Sequence, residues 1–160
     1  MIRVLVSYYS ESGNTEKLAK AIAQGAEEVP DVKVLLKRVD ETSLDDLQSA
    51  DAIVLGSPTY YGLLAAPLKK LLDESVKIHG KLEGKVGAAF TSAGGVATGA
   101  ETTLLSILQA MLVHGMIIQG NPDAKHYGPA ATGAPKAKEL AICKTKGHNV
   151  AELAKKLAKK

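Results

Sequence analysis

YYSESGNT, residues Tyr8 to Thr15, stands between an apolar β-branched run and a helical pattern that begins near Thr15. A strand, a turn rich in hydroxyls and glycine, and then a helix build an anion site, because the first amides of a helix have no partner within it and the helix dipole adds positive charge there. Gly13 lets a ligand approach the backbone closely. The stretch is neither a Walker loop nor a Gly-x-Gly-x-x-Gly loop. With no Lys or Arg between Ser10 and Thr15, it predicts a phosphate held mainly by dipoles.

Composition indicates one soluble domain spanning residues 1–160, with 46% apolar and 23% charged residues. No apolar run approaches the ~20 residues of a membrane span, and the start of the chain has no leader-like pattern. The single Cys143 excludes an internal disulfide and favours the reducing cytoplasm. Aromatic residues are few, so no nucleic-acid partner is expected. Much of the net charge of +3 lies in a lysine-rich C-terminal end, interpreted as a solvated helix end: Lys155, Lys156, Lys159 and Lys160.

Strand-like and helical patterns alternate along the chain, which predicts an α/β fold with a parallel sheet and helices on both faces. The order 2-1-3-4-5 is expected for its five strands, Ile2–Ser7, Val32–Val39, Asp51–Gly56, Lys85–Thr91 and Met116–Gln119. Residues 120–135, rich in Gly and Pro, are predicted to be an irregular loop, followed by a helix over residues 136–160.

Three of these strands end in loops rich in Gly, Ser, Thr or Tyr. In open parallel sheets, ligands bind beyond the carboxyl ends of the strands, where the strand order reverses. Tyr60 and Tyr61 offer flat faces for a planar ring, and Ser92 to Gly95 offers backbone amides to the edge of a heterocycle. A flat, hydrogen-bonding ligand with a phosphate is most economically non-covalently bound FMN.

The Tyr8 to Thr15 loop and the Pro58-Thr59-Tyr60-Tyr61-Gly62 loop resemble those of flavodoxin-like proteins. Further matching segments are Gly99-Ala100-Glu101-Thr102-Thr103 and His114-Gly115-Met116. With these segments included, the chain is most similar to the tryptophan-repressor-binding-protein-like NAD(P)H:quinone oxidoreductases. The resemblance implies a three-layer flavodoxin-like sandwich that assembles as a homodimer or homotetramer. It implies three groups of cofactor-binding residues: Ser10, Glu11, Ser12, Gly13, Asn14 and Thr15 at the phosphate; Pro58, Thr59, Tyr60, Tyr61 and Gly62 at the isoalloxazine; and Ser92, Ala93, Gly94 and Gly95 at its pyrimidine side.

The chain departs from that family at two points. Val113 stands where the family usually carries the first of two adjacent histidines, so that only His114 remains. The connections are also shorter, notably between the second and third strands.

The expected function is an FMN-dependent oxidoreductase that passes two electrons from NAD(P)H to a quinone or similar acceptor. No catalytic residue is assigned with certainty, and Tyr60, Tyr61 and His126 are candidates for the substrate side. The alternative is a flavodoxin-type electron carrier without its own NAD(P)H turnover. The slightly basic net charge favours the enzyme, because carrier flavodoxins are typically acidic. A binding module with an empty flavin site is a third hypothesis.

The remaining titratable residues are interpreted as structural. Cys143 is expected to be a packing residue, His114 to bond helix-end carbonyls, and His79 and His148 to lie on the surface. No metal site is expected, because the spacing of His and Cys matches no zinc motif.

Overall fold

The computed structural model describes residues 1–158. The predicted last helix and the C-terminal lysines extend to Lys159 and Lys160, which lie outside the described residues. The strands are β1 (Ile2–Tyr8), β2 (Val32–Arg38), β3 (Ala52–Tyr60), β4 (Leu63–Leu64), β5 (Val86–Ala93), β6 (Ile117–Ile118) and β7 (Ala130–Thr132). The helices are α1 (Asn14–Glu27), α2 (Leu44–Ser49), α3 (Ala66–Glu74), α4 (Ala100–Val113) and α5 (Ala137–Ala158), with 3₁₀ turns at Val39–Glu41 and Ser75–Ile78.

The parallel sheet runs in the order β2-β1-β3-β5-β6. β5 is buried along its whole length and β3 along most of its length, while β2 lies at one edge and alternates between half-buried and exposed residues. The sequence shows the same contrast, since β3 begins as a continuous apolar run whereas Lys33 and Lys37 interrupt the apolar residues of β2. The α/β class and the parallel sheet are therefore confirmed.

The predicted strand count is wrong, because the sheet formed by residues 1–158 has seven strands. β4 turns back on β3 as an antiparallel hairpin, and β7 pairs in parallel with the last third of β5, beyond the two residues that pair with β6. Both added strands are too short to show a period in the sequence. The strands predicted as fourth and fifth are β5 and β6, so the main order by chain number is 2-1-3-5-6 instead of 2-1-3-4-5. Residues 120–135 are likewise not wholly irregular, since they contain β7.

Side chains alternate between the two faces of β1 and create two cores. Val4 and Val6 pack under α1 and α5, whereas Leu5 packs under α2, α3 and α4. The helices thus form a layer on each side of the sheet, as expected. Within residues 1–158, no helix has both the length and the apolarity needed to cross a bilayer.

Cys143 lies on α5, fully buried in the core beneath α1. Burial, with a smaller contribution from Glu139, raises the pKa of the thiol to about 12. The side chain therefore packs as a small apolar group, in agreement with the sequence interpretation.

The Cys143 thiol is expected to be inert in the folded protein. At pH 8 only about one thiol in ten thousand would be a thiolate, and solvent does not reach it. Native protein should release almost no thionitrobenzoate from Ellman's reagent in an hour, whereas protein in guanidinium should release one equivalent per chain. Rapid stoichiometric reaction under native conditions would contradict a buried thiol.

Candidate functional site

The first loop joins β1 to α1 at the carboxyl edge of the sheet. Ser10 is buried, and its Oγ accepts hydrogen bonds from the backbone N–H groups of Gly13 at 3.1 Å and Glu16 at 3.3 Å. Gly13 precedes the helix with a φ of 85°, a conformation that glycine adopts readily, and a Cβ there would meet open space. The amides of Asn14 and Thr15 lie in the first turn, where an α-helix supplies no acceptor. This geometry suits a phosphate.

Arg38 brings a cation to this loop, which the local sequence lacks. It ends β2, which pairs with β1, and its Nη1 donates to the Ser10 carbonyl oxygen at 3.2 Å. Its Nε lies 3.4 Å from the Asp40 carboxylate. Arg38 is not among the cofactor-binding residues predicted from the sequence, although its place at the carboxyl end of a strand next to β1 is a signal that the sequence contains. A phosphate here would therefore lie near a positive charge as well as near helix dipoles.

A buried hydrogen bond joins the first loop to the third, which follows β5. The Oγ1 of Thr15 and the Oγ of Ser92 are 2.8 Å apart, and the two residues are separated by 77 positions in the chain. Both side chains are almost fully buried. The predicted phosphate and pyrimidine loops are thus held together directly.

The second loop is the β3–β4 hairpin. Its two turn residues, Tyr61 and Gly62, have φ values of 51° and 76°, as a two-residue type I′ turn requires. The Ser57 Oγ accepts from the Ala65 amide at 2.7 Å and so ties the return strand to β3. The turn leaves Tyr61 fully exposed and Tyr60 partly exposed. A rigid aromatic tip therefore stands beside the other two loops.

The hairpin packs against the beginning of α4 at two glycines, Gly62 and Gly99. A Cβ on Gly99 would lie 2.6 Å from the Gly62 Cα, so the two backbones touch. The Oγ1 of Thr102 donates to the Gly62 carbonyl oxygen at 2.7 Å. On the strand below, the Thr59 and Thr91 hydroxyls are 3.0 Å apart. These contacts set the position of Tyr60 and Tyr61.

Tyr9 contacts both the first and the second loop. Its ring meets the Tyr60 ring edge-to-face, with centroids 6.5 Å apart, and its hydroxyl donates to Glu11 Oε2 at 2.6 Å. The hydrogen bond to Glu11 is the main reason that the pKa of Tyr9 is raised. The Glu11 carboxylate is thus already paired with a phenol. Tyr9 is not among the site residues predicted from the sequence.

His126 stands apart from these contacts. It lies in the loop after β6, where its Nδ1 donates to the Asn121 carbonyl oxygen at 2.7 Å, and it is exposed. Its place on the substrate side stays a prediction. Among residues 1–158, no three His, Cys, Asp or Glu side chains lie close enough to hold a metal ion.

His114 makes a different contact from the one expected. Its ring is buried, and Nε2 lies 2.8 Å from the Ser75 hydroxyl rather than at a helix-end carbonyl. Its Nδ1 is buried and has no hydrogen-bond partner among the described residues. Burial, and then the neighbouring His79, lower the pKa of His114.

The three loops fit a flat cofactor with a terminal phosphate. The helix N-terminus beside Gly13 has room for an anion, the hairpin offers an aromatic wall, and Gly94 leaves open space where a ring edge would approach. These loops, on a parallel sheet of order β2-β1-β3-β5-β6, define the class of FMN-binding proteins with a flavodoxin-like fold.

Comparison with known proteins identifies the family within this class. The sequence model of the NADPH-dependent FMN reductases matches residues 1–124, and the chain belongs to that family. A relative from Archaeoglobus fulgidus, named NAD(P)H dehydrogenase (quinone), is 40% identical over 191 residues, covering 98% of this chain and 100% of the relative. A flavodoxin from Aquifex aeolicus is 35% identical over 160 residues, covering 95% of this chain and 86% of the relative.

A solved structure agrees with the fold. The flavodoxin, WrbA-like protein from Agrobacterium tumefaciens superposes with a TM-score of 0.84 at 27% identity, covering 98% of this chain and 99% of the other. The predicted family resemblance, the FMN cofactor and the assignment as an oxidoreductase are confirmed. The individual cofactor-binding residues stay predictions, now with a geometry that brings their three loops together.

Proposed function

We propose that this protein is an FMN-dependent oxidoreductase that passes two electrons from NAD(P)H to a quinone or similar small acceptor. The observation that carries the proposal is the β3–β4 hairpin, which leaves the rings of Tyr60 and Tyr61 exposed and packs Tyr60 against Tyr9, just before the phosphate loop. The name of the Archaeoglobus fulgidus relative supports the choice of donor and acceptor.

When bound, FMN supplies the redox chemistry, accepting a hydride and delivering two electrons. The protein's part is to bind and to orient. The first turn of α1, the Thr15 hydroxyl and the nearby Arg38 would hold the phosphate end. The amides of Ser92 to Gly95 would bond the heterocycle edge. The flat exposed face of Tyr61 offers a stacking surface to an incoming ring, and no side chain is required as a strong acid or base.

A flavodoxin-type carrier is the second candidate, and the Aquifex aeolicus relative supports it. The charge distribution favours the enzyme. The net charge is +3, and Glu11, the one acidic residue of the three predicted cofactor loops, is paired with Tyr9. A site with little negative charge does not disfavour a reduced, anionic flavin, which suits two-electron exchange.

Steady-state oxidation of NADH and NADPH with a benzoquinone, after FMN loading followed by fluorescence quenching, tests the proposal. Turnover that depends on FMN is expected. Tyr61→Ala should lower kcat/KM by roughly tenfold through loss of ring stacking. Val76→Ala, which shortens an exposed side chain in the 3₁₀ turn before β5, is the control and should leave kcat/KM unchanged.

Two outcomes would contradict the proposal. FMN binding without any turnover would favour the carrier. Failure to bind FMN at micromolar concentration would exclude both candidates.

The proposal extends to assembly and location. Self-association as a homodimer or homotetramer is supported by exposed apolar side chains along α4 and the hairpin: Leu63, Leu105, Leu112 and Val113. The reduced, buried Cys143 is compatible with a cytoplasmic, single-domain protein over residues 1–160. Light scattering coupled to gel filtration measures the assembly.

A further inference from the structure

A cavity of about 520 Å³ lies between α5 and the loop that connects β6 to β7. We call it the edge cavity, because β6 and β7 form the edge of the sheet there. Its walls come from residues 119–129 and from one face of α5, Lys138 to Asn149. None of these residues belongs to the three predicted cofactor loops, so the edge cavity is distinct from the residues assigned to FMN.

The edge cavity carries an excess of positive charge. Lys125, Lys138 and Lys146 line it, against a single lining carboxylate, Asp123. The ion pairs found within residues 1–158 involve none of these three lysines. The nearby Glu139 accepts from the backbone N–H of Lys136 at the start of α5. Positive charge therefore exceeds negative charge in the lining of the cavity, although Lys125 lies close enough to Glu139 to contribute to the lowered pKa of that carboxyl.

Lys146 is the most constrained of the three. Its side chain is only partly exposed, and its ammonium donates to the Gln119 carbonyl oxygen at 2.8 Å. An ammonium has three N–H donors, so the bond to Gln119 leaves two of them for a ligand. Burial lowers the pKa of Lys146. A partly desolvated cation without a carboxylate partner costs free energy, which an anion in the cavity would offset.

The loop side of the cavity is held in shape by its own hydrogen bonds. The Asn121 amide donates to the His126 carbonyl oxygen at 3.2 Å, and the His126 ring donates back to the Asn121 carbonyl oxygen at 2.7 Å. At the far end, the Thr91 amide donates to the Pro129 carbonyl oxygen at 3.0 Å. The loop is thus closed on itself and anchored to β5, which makes the cavity a preformed one.

We propose that the edge cavity is a second binding site, for a small multiply charged oxyanion such as a phosphate compound or a polycarboxylate. Lys146, Lys138 and Lys125 would hold the charged oxygens. The Asn149 side-chain amide would add a donor, and Ile142 and Pro129 would contact a carbon body. The site goes beyond the proposed redox function and does not depend on it.

Calorimetric titration of the FMN-loaded protein with pyrophosphate, and separately with citrate, tests the site. FMN loading fills the first loop, and sodium chloride holds ionic strength near about 0.15 M. One site per chain is expected for at least one of the two anions, and their relative affinity decides between a phosphate and a carboxylate ligand. Lys146→Gln should weaken binding roughly tenfold. Lys156→Gln, at an exposed lysine further along α5, is the matched control and should leave binding unchanged.

Lys138→Gln gives a second test if Lys146→Gln does not fold, because Lys138 is exposed at the start of α5. Amide chemical-shift changes centred on residues 119–129 and 138–149 would support the site. No binding of either anion at ~10 mM would overturn it. Equal weakening by Lys156→Gln, or shifts centred on residues 10–15, would also overturn it. A protein that fails to take up FMN would refute the proposed function, while the shift map would still locate the anion.

Discussion

Gly147→Ala is expected to lower the free energy of unfolding by about 2 kcal/mol, although alanine is the better helix former. A Cβ on Gly147 would overlap the Ile22 carbonyl oxygen, and a Cβ on Gly25 would overlap that of Lys144. The backbones of α1 and α5 therefore touch on both sides of the crossing. Backbone atoms cannot rotate away, so the helices must separate at a cost of about 3 kcal/mol. The gain of about 1 kcal/mol in helix propensity offsets only part of that cost.

Urea unfolding followed by circular dichroism measures the effect of Gly147→Ala. Gly25→Ala should produce a similar loss, and the double variant should lose less than the sum because both changes separate the same pair of helices. Asn149→Ala on the exposed side of α5 is the control and should be neutral or slightly stabilising. Equal stability of Gly147→Ala and Asn149→Ala would show that the helices are not in backbone contact.

Gly99→Ala is expected to weaken FMN binding by tenfold to a hundredfold, roughly 1.4 to 2.8 kcal/mol. Gly99 has a φ of 101°, and a Cβ would lie 2.6 Å from the Gly62 Cα. The added methyl group would push the hairpin away from α4 and carry Tyr60 and Tyr61 with it. A cofactor ring that depends on that wall would then lose its contacts, because displacements of this size disrupt preformed sites.

Gly80→Ala is the control, because it introduces backbone strain at a positive φ without displacing the hairpin. Gly80 also has a positive φ, of 80°, but a Cβ there would meet open space. Gly80→Ala should cost about 1 kcal/mol of stability and leave FMN affinity unchanged. Quenching of FMN fluorescence gives both dissociation constants. Equal losses of affinity in the two variants, or none in Gly99→Ala, would mean that the contact between Gly99 and Gly62 does not position the cofactor wall.

The layers of the fold could be predicted from the sequence because the patterns that indicate them extend over only a few neighbouring residues. β3 and β5 are long apolar runs, and the helices on each face carry apolar residues at helical spacing. The short strands β4 and β7 could not be predicted in this way. β4 forms because Tyr61 and Gly62 turn the chain back on β3. β7 forms because β6 pairs only with the first two residues of β5, which leaves the end of β5, Thr91–Ala93, free to pair on the same edge. Both strands form through pairing with a longer neighbour, and their intrinsic preference alone does not reveal them.

At the β6–β7 edge of the sheet, the sequence likewise does not show which residues come together in a site. His126 is a candidate for the substrate side because of its place in a long loop, and that role stays a prediction; the structure shows that its ring closes the loop on Asn121. The three lysines of the edge cavity are spread over residues 125–146 and form no motif. Their convergence depends on how α5 packs against the loop between β6 and β7.

By itself, the sequence determined the α/β class, the three loops and the prediction of a phosphate site at Ser10 to Thr15. These follow from periodicity, glycine placement and unpaired helix amides, all of which act over a few residues. Only the tertiary structure decided that Arg38 reaches the Ser10 carbonyl and that Thr15 bonds Ser92 across 77 residues. Such contacts depend on strand order and register, which bring distant residues within hydrogen-bonding distance without leaving a local pattern.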